Sequence, residues 1–219
     1  FLFLLVLFCL FINWQIYIIS ILIISGIALS ECATLIWRME QYPSTAKWMP
    51  FRLIAIFYIC FIFLPMMGSF YSLGSVFIFY ILLVCIFSDI GGYIVGKTIG
   101  GKKLTKISPN KTISGSIGSF CFSLAPAFLY YIFDQSEYFY SFNYFLLCLQ
   151  ISLVCQLGDI FISYIKRRAK VKDTGKFLPG HGGLLDRIDG LIFAFPYVWF
   201  YINGLPAYFE IIEGAISRL

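Results

Sequence analysis

Long runs of apolar residues with almost no charge restrict this chain to one class of fold. Runs at 14–37, 51–67, 70–88, 113–133, 144–165 and 188–205 approach the roughly 20 residues that cross a bilayer, while the run at 1–12 is too short to cross alone. Hydrocarbon offers no water to an open backbone, so such segments satisfy their own hydrogen bonds as helices. Composition agrees: 12% of residues are charged and 60% are hydrophobic, against about 25% charged in a soluble domain. The sequence predicts an all-α, polytopic integral membrane protein with about six to seven transmembrane helices. It forms a single transmembrane domain over 1–219, with no soluble domain and no internal repeat. Pro65 is placed to end one helix, Gly68 and Ser69 to turn the chain, and Pro196 to kink the last span. The chain opens on FLFLLVLFCLF with neither an initiating Met nor a basic stretch, which argues against a secretory signal peptide and predicts a truncated N-terminus. The seven cysteines lie in apolar stretches without metal-ligand spacing and read as small packing residues.

Charge sorts the connections by side. Five of the sixteen Lys and Arg residues fall in 89–112, seven in 166–187 and three in 38–52, whereas 134–143 carries Asp134 and Glu137 and no base. Alternating spans put the three basic segments on one face, and the positive-inside rule makes that face cytoplasmic. The location expected is a bacterial-type inner membrane with the loops 89–112 and 166–187 forming a cytoplasmic site. The net charge of +5 thus reflects two loops rather than a basic surface, and nothing in the chain suggests a nucleic-acid partner. Topology alone would account for basic loops, but not for bases mixed this densely with carboxylates and glycines.

The densest mixture is Ser163 to Asp189, SYIKRRAKVKDTGKFLPGHGGLLDRID, which also holds the only histidine. On a helix Asp159, Ser163, Lys166 and Lys170 recur at i, i+4, i+7 and i+11 and share one face. A carboxylate a turn inside a membrane span is costly and faces a cavity or a pairing cation, so Asp159 reads either as a functional group or as a helix staple. Gly180, Gly182 and Gly183 allow close backbone approach to an anion, and His181 can touch phosphate, move a proton or only hydrogen-bond locally. Asp186 and Asp189 are i and i+3 neighbours whose mutual repulsion calls for a cation, supplied by a metal or by Arg187 and the lysines. Mg²⁺ suits one or two carboxylates plus substrate phosphates. A second segment runs from Asp89, read as ending a span, through the lysines to Ser108, Pro109, Lys111 and Thr112. It reads either as a loop over a phosphate-bearing ligand or as a positive-inside loop.

The Ser163–Asp189 run resembles the signature of the phosphatidate cytidylyltransferases, or CDP-diacylglycerol synthases. Ser163, Lys166, Arg167, Lys172, Asp173, Gly175, Leu178, Pro179, His181, Gly182, Gly183, Asp186, Arg187, Ile188 and Asp189 fall at that family's spacing over 27 positions without a gap. The runs from Asp89 to Lys97 and from Ser108 to Thr112 are similar to further family motifs. Ser114 departs from the family, which usually carries Glu there. The resemblance implies transfer of a cytidylyl group from CTP to phosphatidic acid at the bilayer surface. It implies divalent metal binding by Asp159, Asp186 and Asp189, with Mg²⁺ expected and a second, monovalent ion beside it. Phosphate or substrate contacts are expected from Lys166, Arg167, Lys172, Arg187 and Lys111, and also from Ser163, Asp173, His181, Gly182, Gly183 and Asp89. A homodimer is the further partner expected. Two rival readings are a CDP-alcohol phosphotransferase, whose D-G-x-x-A-R pattern is missing at Asp189-Gly190, and a membrane anion transporter.

Overall fold

In the computed structural model, residues 11–40, 75–105, 107–133, 142–177 and 182–216 are described. The expected span at 51–67, the turn after Pro65, most of 1–12 and the 134–141 connection lie outside the described residues. The described helices are α1 (Trp14–Glu40), α2 (Ser75–Thr98), α3 (Ile113–Ser123), α4 (Ala125–Phe133), α5 (Phe142–Arg168), α6 (Leu185–Ile188) and α7 (Leu191–Ile216). Among the described residues there is no strand, and an antiparallel bridge pairs Lys103 with Thr112. Helices α1, α2 and α5 are each long and apolar enough to cross a membrane. The protein is an integral membrane protein of all-α architecture.

Local chemistry sets several helix ends. Asn13 precedes α1 and its Oδ1 accepts from the Gln15 N–H at 3.0 Å, an N-cap arrangement. Thr112 caps α3 in the same way, accepting from the Gly115 N–H at 3.0 Å. The expected single span at 113–133 is two helices that meet at Leu124. Pro126 has no N–H to offer the preceding turn, so α3 cannot run on through it unbroken. Pro196 does not end α7, which continues to Ile216.

The larger correction concerns α2. It runs through Asp89 to Thr98, so Asp89 lies more than two turns inside a helix and does not end a span. The connection that follows begins at Ile99. Likewise α5 continues to Arg168, which puts Lys166 and Arg167 on the helix rather than in a loop.

Helix α5 is the centre of the bundle, packing along α7 and against α3, α4 and α1. Tyr17, Ile21, Ile78, Ile81, Val84, Cys148, Ile151, Phe195 and Val198 form the larger buried cluster, drawn from α1, α2, α5 and α7. A second cluster of Ala28, Cys32, Leu35, Ile162, Ala169, Leu185 and Ile192 lies under the charged end. Cys32, Cys85, Cys148 and Cys155 are buried as expected of packing residues, whereas Cys121 is exposed. Ile19, Leu22, Ile23, Val76, Leu153, Leu157 and Phe200 point outward on the helices. In a bilayer, lipid covers these side chains, so burial of apolar surface does not drive these helices together.

Close backbone approach and polar contacts do that work instead. A Cβ on Gly91 would sit 2.5 Å from the Gly118 carbonyl, and one on Gly118 2.7 Å from the Gly91 carbonyl. Gly96 and Gly115 meet in the same seam between α2 and α3. Beside it a thread of side chains crosses three helices. The Ser88 and Ser152 hydroxyls lie 2.8 Å apart, Gln156 Nε2 donates to Ser152 Oγ at 3.3 Å, and Ser116 Oγ donates to Gln156 Oε1 at 2.6 Å.

Candidate functional site

The predicted face of α5 forms in part. Ser163 is buried and its Oγ lies 3.4 Å from Asp159 Oδ1, one turn away. Lys166 continues the face, but Lys170 does not. The helix closes with the Val171 N–H on the Lys166 carbonyl at 3.0 Å and the Lys170 N–H on the Arg167 carbonyl at 3.2 Å. Lys170 itself takes φ 55° in this Schellman ending, a position glycine ordinarily fills, and so turns the chain away from the helix axis.

Asp159 and Asp189 are neighbours because glycines let α5 meet the start of α7. A Cβ on Gly158 would come within 2.6 Å of the Asp189 carbonyl, and one on Gly190 would strike the Cys155 sulfur. Asp89 of α2 stands close enough that its charge acts on both. Asp89 is solvent-accessible, and Asp189 is partly covered with its Oδ1 accepting from the Gly190 N–H at 2.9 Å. Lys111 forms an ion pair with Asp159 Oδ2 and also faces Asp89. Three carboxylates from three elements therefore act on one another electrostatically, with Lys111 and Lys166 as the cations that offset them.

Asp186 is held differently. Lys166 Nζ donates to its Oδ1 at 2.6 Å, and its Oδ2 accepts from the Thr174 N–H at 2.8 Å and the Gly183 N–H at 3.0 Å and lies 3.0 Å from Thr174 Oγ1. Burial disfavours its charge, but Lys166 and the two N–H donors outweigh burial and hold the carboxyl below the usual range. A carboxylate whose pKa is depressed by folding stabilises the fold above its unfolded pKa of about 3.9, and that contribution is lost as pH falls through the folded value. Acidification below about pH 4 in chelator is therefore expected to loosen the wild-type segment from Thr174 to Asp186, read as faster amide exchange there. Asp186→Asn should be loosened already at neutral pH and show a flatter pH response. Equal profiles for the two proteins would contradict this.

Two contributors were missed at the sequence level. Glu31 of α1 is buried and accepts from the Leu184 N–H at 2.9 Å, the Leu185 N–H at 2.9 Å and the Thr174 hydroxyl at 2.8 Å. Its signal was present: it is the one carboxylate within the apolar run 14–37, and carboxylates inside spans are seldom idle. Thr174 carries no comparable signal. Of the other expected residues, Arg167, Lys172, Asp173 and Arg187 are exposed around this end of the bundle. Gly182 takes φ 86°, which a side chain would strain, and lies against Asp186 and Asp173. His181 lies outside the described residues. Ser114, where the resemblance implies Glu, donates to the Gly100 carbonyl and sits 3.0 Å from Thr112 Oγ1, bracing the turn before α3.

The donors offered here are carboxylate oxygens, the set preferred by a hard divalent cation. Asp89, Asp159 and Asp189 outnumber the lysines Lys111 and Lys166 that face them, so the chemistry of the site fits such an ion. Among the described residues no three acidic, cysteine or histidine side chains close into a preformed metal cage. Mg²⁺ requires none, since it commonly takes one or two carboxylates and fills its shell from water and phosphate. Asp186, with both oxygens already engaged, is the least available of the three expected ligands.

Membrane-crossing helices that carry carboxylates and lysines at one end define a polytopic membrane protein with a charged site beside the hydrocarbon. The chain belongs to the cytidylyltransferase family, whose model matches residues 1–205. It is 41% identical over 130 residues to the phosphatidate cytidylyltransferase of Bacillus subtilis (strain 168), covering 59% of this chain and 48% of that protein. Over 123 residues it is 45% identical to the enzyme of the same name from Rickettsia bellii (strain RML369-C), covering 53% of each. A third such relative, from Helicobacter pylori (strain ATCC 700392 / 26695), is 38% identical over 132 residues, covering 60% of this chain and 48% of the relative. The chain spans about half the length of the curated relatives it matches.

Proposed function

We propose that this protein transfers a cytidylyl group from CTP to phosphatidic acid, giving CDP-diacylglycerol and pyrophosphate. The observation that carries the reading is the meeting of Asp89, Asp159 and Asp189 with Lys111 and Lys166 at one end of membrane-crossing helices. Both reactants are polyanions, and one is anchored in lipid, so the reaction needs fixed charge at this depth. A phosphate oxygen of the lipid attacks the α-phosphorus of CTP, the bond to the β-phosphate oxygen breaks, and pyrophosphate leaves. No covalent enzyme intermediate is required, and Ser163 serves as a polar contact beside Asp159. Lys111 and Lys166 neutralise phosphate charge and orient the groups, with Arg167, Lys172 and Arg187 around them. Asp159, Asp189 and Asp186 would hold Mg²⁺, which supplies charge neutralisation on the phosphates. The membrane is a bacterial-type inner membrane, and the face bearing 99–112 and 166–187 is cytoplasmic.

Purified protein in sealed vesicles tests activity and sidedness together. Pyrophosphate release should require CTP, phosphatidic acid and Mg²⁺ at once. It should occur in inside-out vesicles given external CTP and be absent from right-side-out ones. Release without phosphatidic acid, or no release with all three present, would overturn the activity. Equal rates in the two orientations would overturn the sidedness.

A further inference from the structure

We infer that Glu31 is a positioning residue, which sets the placement of the site's acidic helical turn from within the first described membrane helix. The inference rests on the proposed function, in which Lys166, Lys172, Arg187, Asp186 and Asp189 serve the CTP phosphates and their metal ion. A carboxylate inside a span is expensive, and helix packing gives no reason for one. Its partners identify its purpose. All three donors to Glu31 come from the charged segment: the Thr174 hydroxyl and the N–H groups of Leu184 and Leu185. The last two are the unsatisfied donors at the start of α6, the turn that carries Asp186 and leads to Asp189.

The surroundings are shaped to this carboxylate. A Cβ on Gly175 would collide with Glu31 Oε1, and one on Gly183 would lie 2.5 Å from Oε2, so the backbone at both positions approaches Glu31 as closely as glycine permits. Thr174 Oγ1 also lies 3.0 Å from Asp186 Oδ2, and Asp186 in turn holds Lys166. Glu31, Thr174, Asp186 and Lys166 thus form one continuous chain of contacts from α1 to α5. Glu31 touches no reacting atom. It fixes where α6 begins, and thereby where two of the site's aspartates and one lysine stand.

Glu31→Gln tests this with little change of shape. Glu31 accepts at both oxygens from backbone N–H groups, and an amide has one oxygen and one N–H₂ group. Whichever way it turns, Leu184 or Leu185 loses its acceptor. Amide exchange across 182–188 should accelerate at least about tenfold, as expected for loss of a hydrogen bond to a charged group. The KM for CTP should rise by a similar factor in the folded fraction. A merely structural role would lower the amount of active protein and leave KM unchanged. Thr174→Val should reproduce part of both effects, while Thr174→Ser, which keeps the hydroxyl, should reproduce neither. That pair decides the matter if Glu31→Gln fails to insert. Wild-type exchange and wild-type KM in both Glu31→Gln and Thr174→Val would overturn the inference. Absence of CTP turnover in the wild type would instead overturn the function, and the exchange measurement would still report on Glu31.

Discussion

Asp159→Asn and Asp189→Asn are each expected to lower turnover by about a hundredfold or more while leaving a folded, membrane-inserted protein. The change keeps the shape of each side chain and removes one charge. At Asp159 it also releases Lys111 from its ion pair, and at Asp189 it removes a charge that acts together with Asp89 and Asp159. Pyrophosphate release from CTP with phosphatidic acid gives the rate. A Mg²⁺ titration should show a weakened dependence in both variants. Should Asp159→Asn retain near-normal activity and metal dependence, Asp159 is only the ion-pair partner of Lys111, and the site contracts to the aspartates of α6 and its end. Asp186→Asn is a different experiment, because its first effect is on the loop it braces.

Gly118→Leu should be the most damaging change away from the site. Its side chain would enter a space already filled by Val95 and the Gly91 carbonyl, with no flexible end to yield. Overpacking of this kind costs about 1–3 kcal/mol when neighbours can shift, and more when the obstacle is backbone. A marked fall in thermal stability in detergent is expected, with loss of inserted protein. Gly26→Leu is the matched control, since a Cβ there meets nothing within 4 Å. Similar losses for the two would show that the added bulk itself, rather than the α2–α3 seam, sets the cost, since Leu has the higher helix propensity at both positions.

The class of fold was legible because hydrocarbon leaves a chain so few options, and length and hydropathy alone placed α1, α2 and α5. Their ends were less so. The helix continues past Asp89 because the residues to Thr98, including three glycines, pack on α3 or extend beyond the apolar run, and hydropathy is blind to both. The division at Leu124 needed attention to the missing N–H of Pro126 rather than to hydropathy. In the site, Asp159, Asp189, Lys111 and Lys166 were named from residue type and spacing together with the family resemblance, but their pairings follow from tertiary approach at Gly158 and Gly190. Lys170 left its predicted face because the helix ends two residues earlier, at Arg168, a matter of backbone geometry. Glu31 was readable in principle and overlooked, since it lies 143 residues from Thr174 and its meaning comes only from that contact.

The thread of Ser88, Ser152, Gln156 and Ser116 bears on rotation rather than on strength. Lipid covers one apolar face of a helix as readily as another, so α5 could turn about its axis at little cost if shape alone restrained it. Advancing it by one residue would swing Ser152 and Gln156 through about 100° and leave hydroxyl and amide groups facing hydrocarbon. The thread therefore sets the azimuth of α5. Asp159 follows Gln156 by less than one turn and inherits that bearing, so the aim of an aspartate at the membrane surface is decided by neutral side chains deeper in the bilayer.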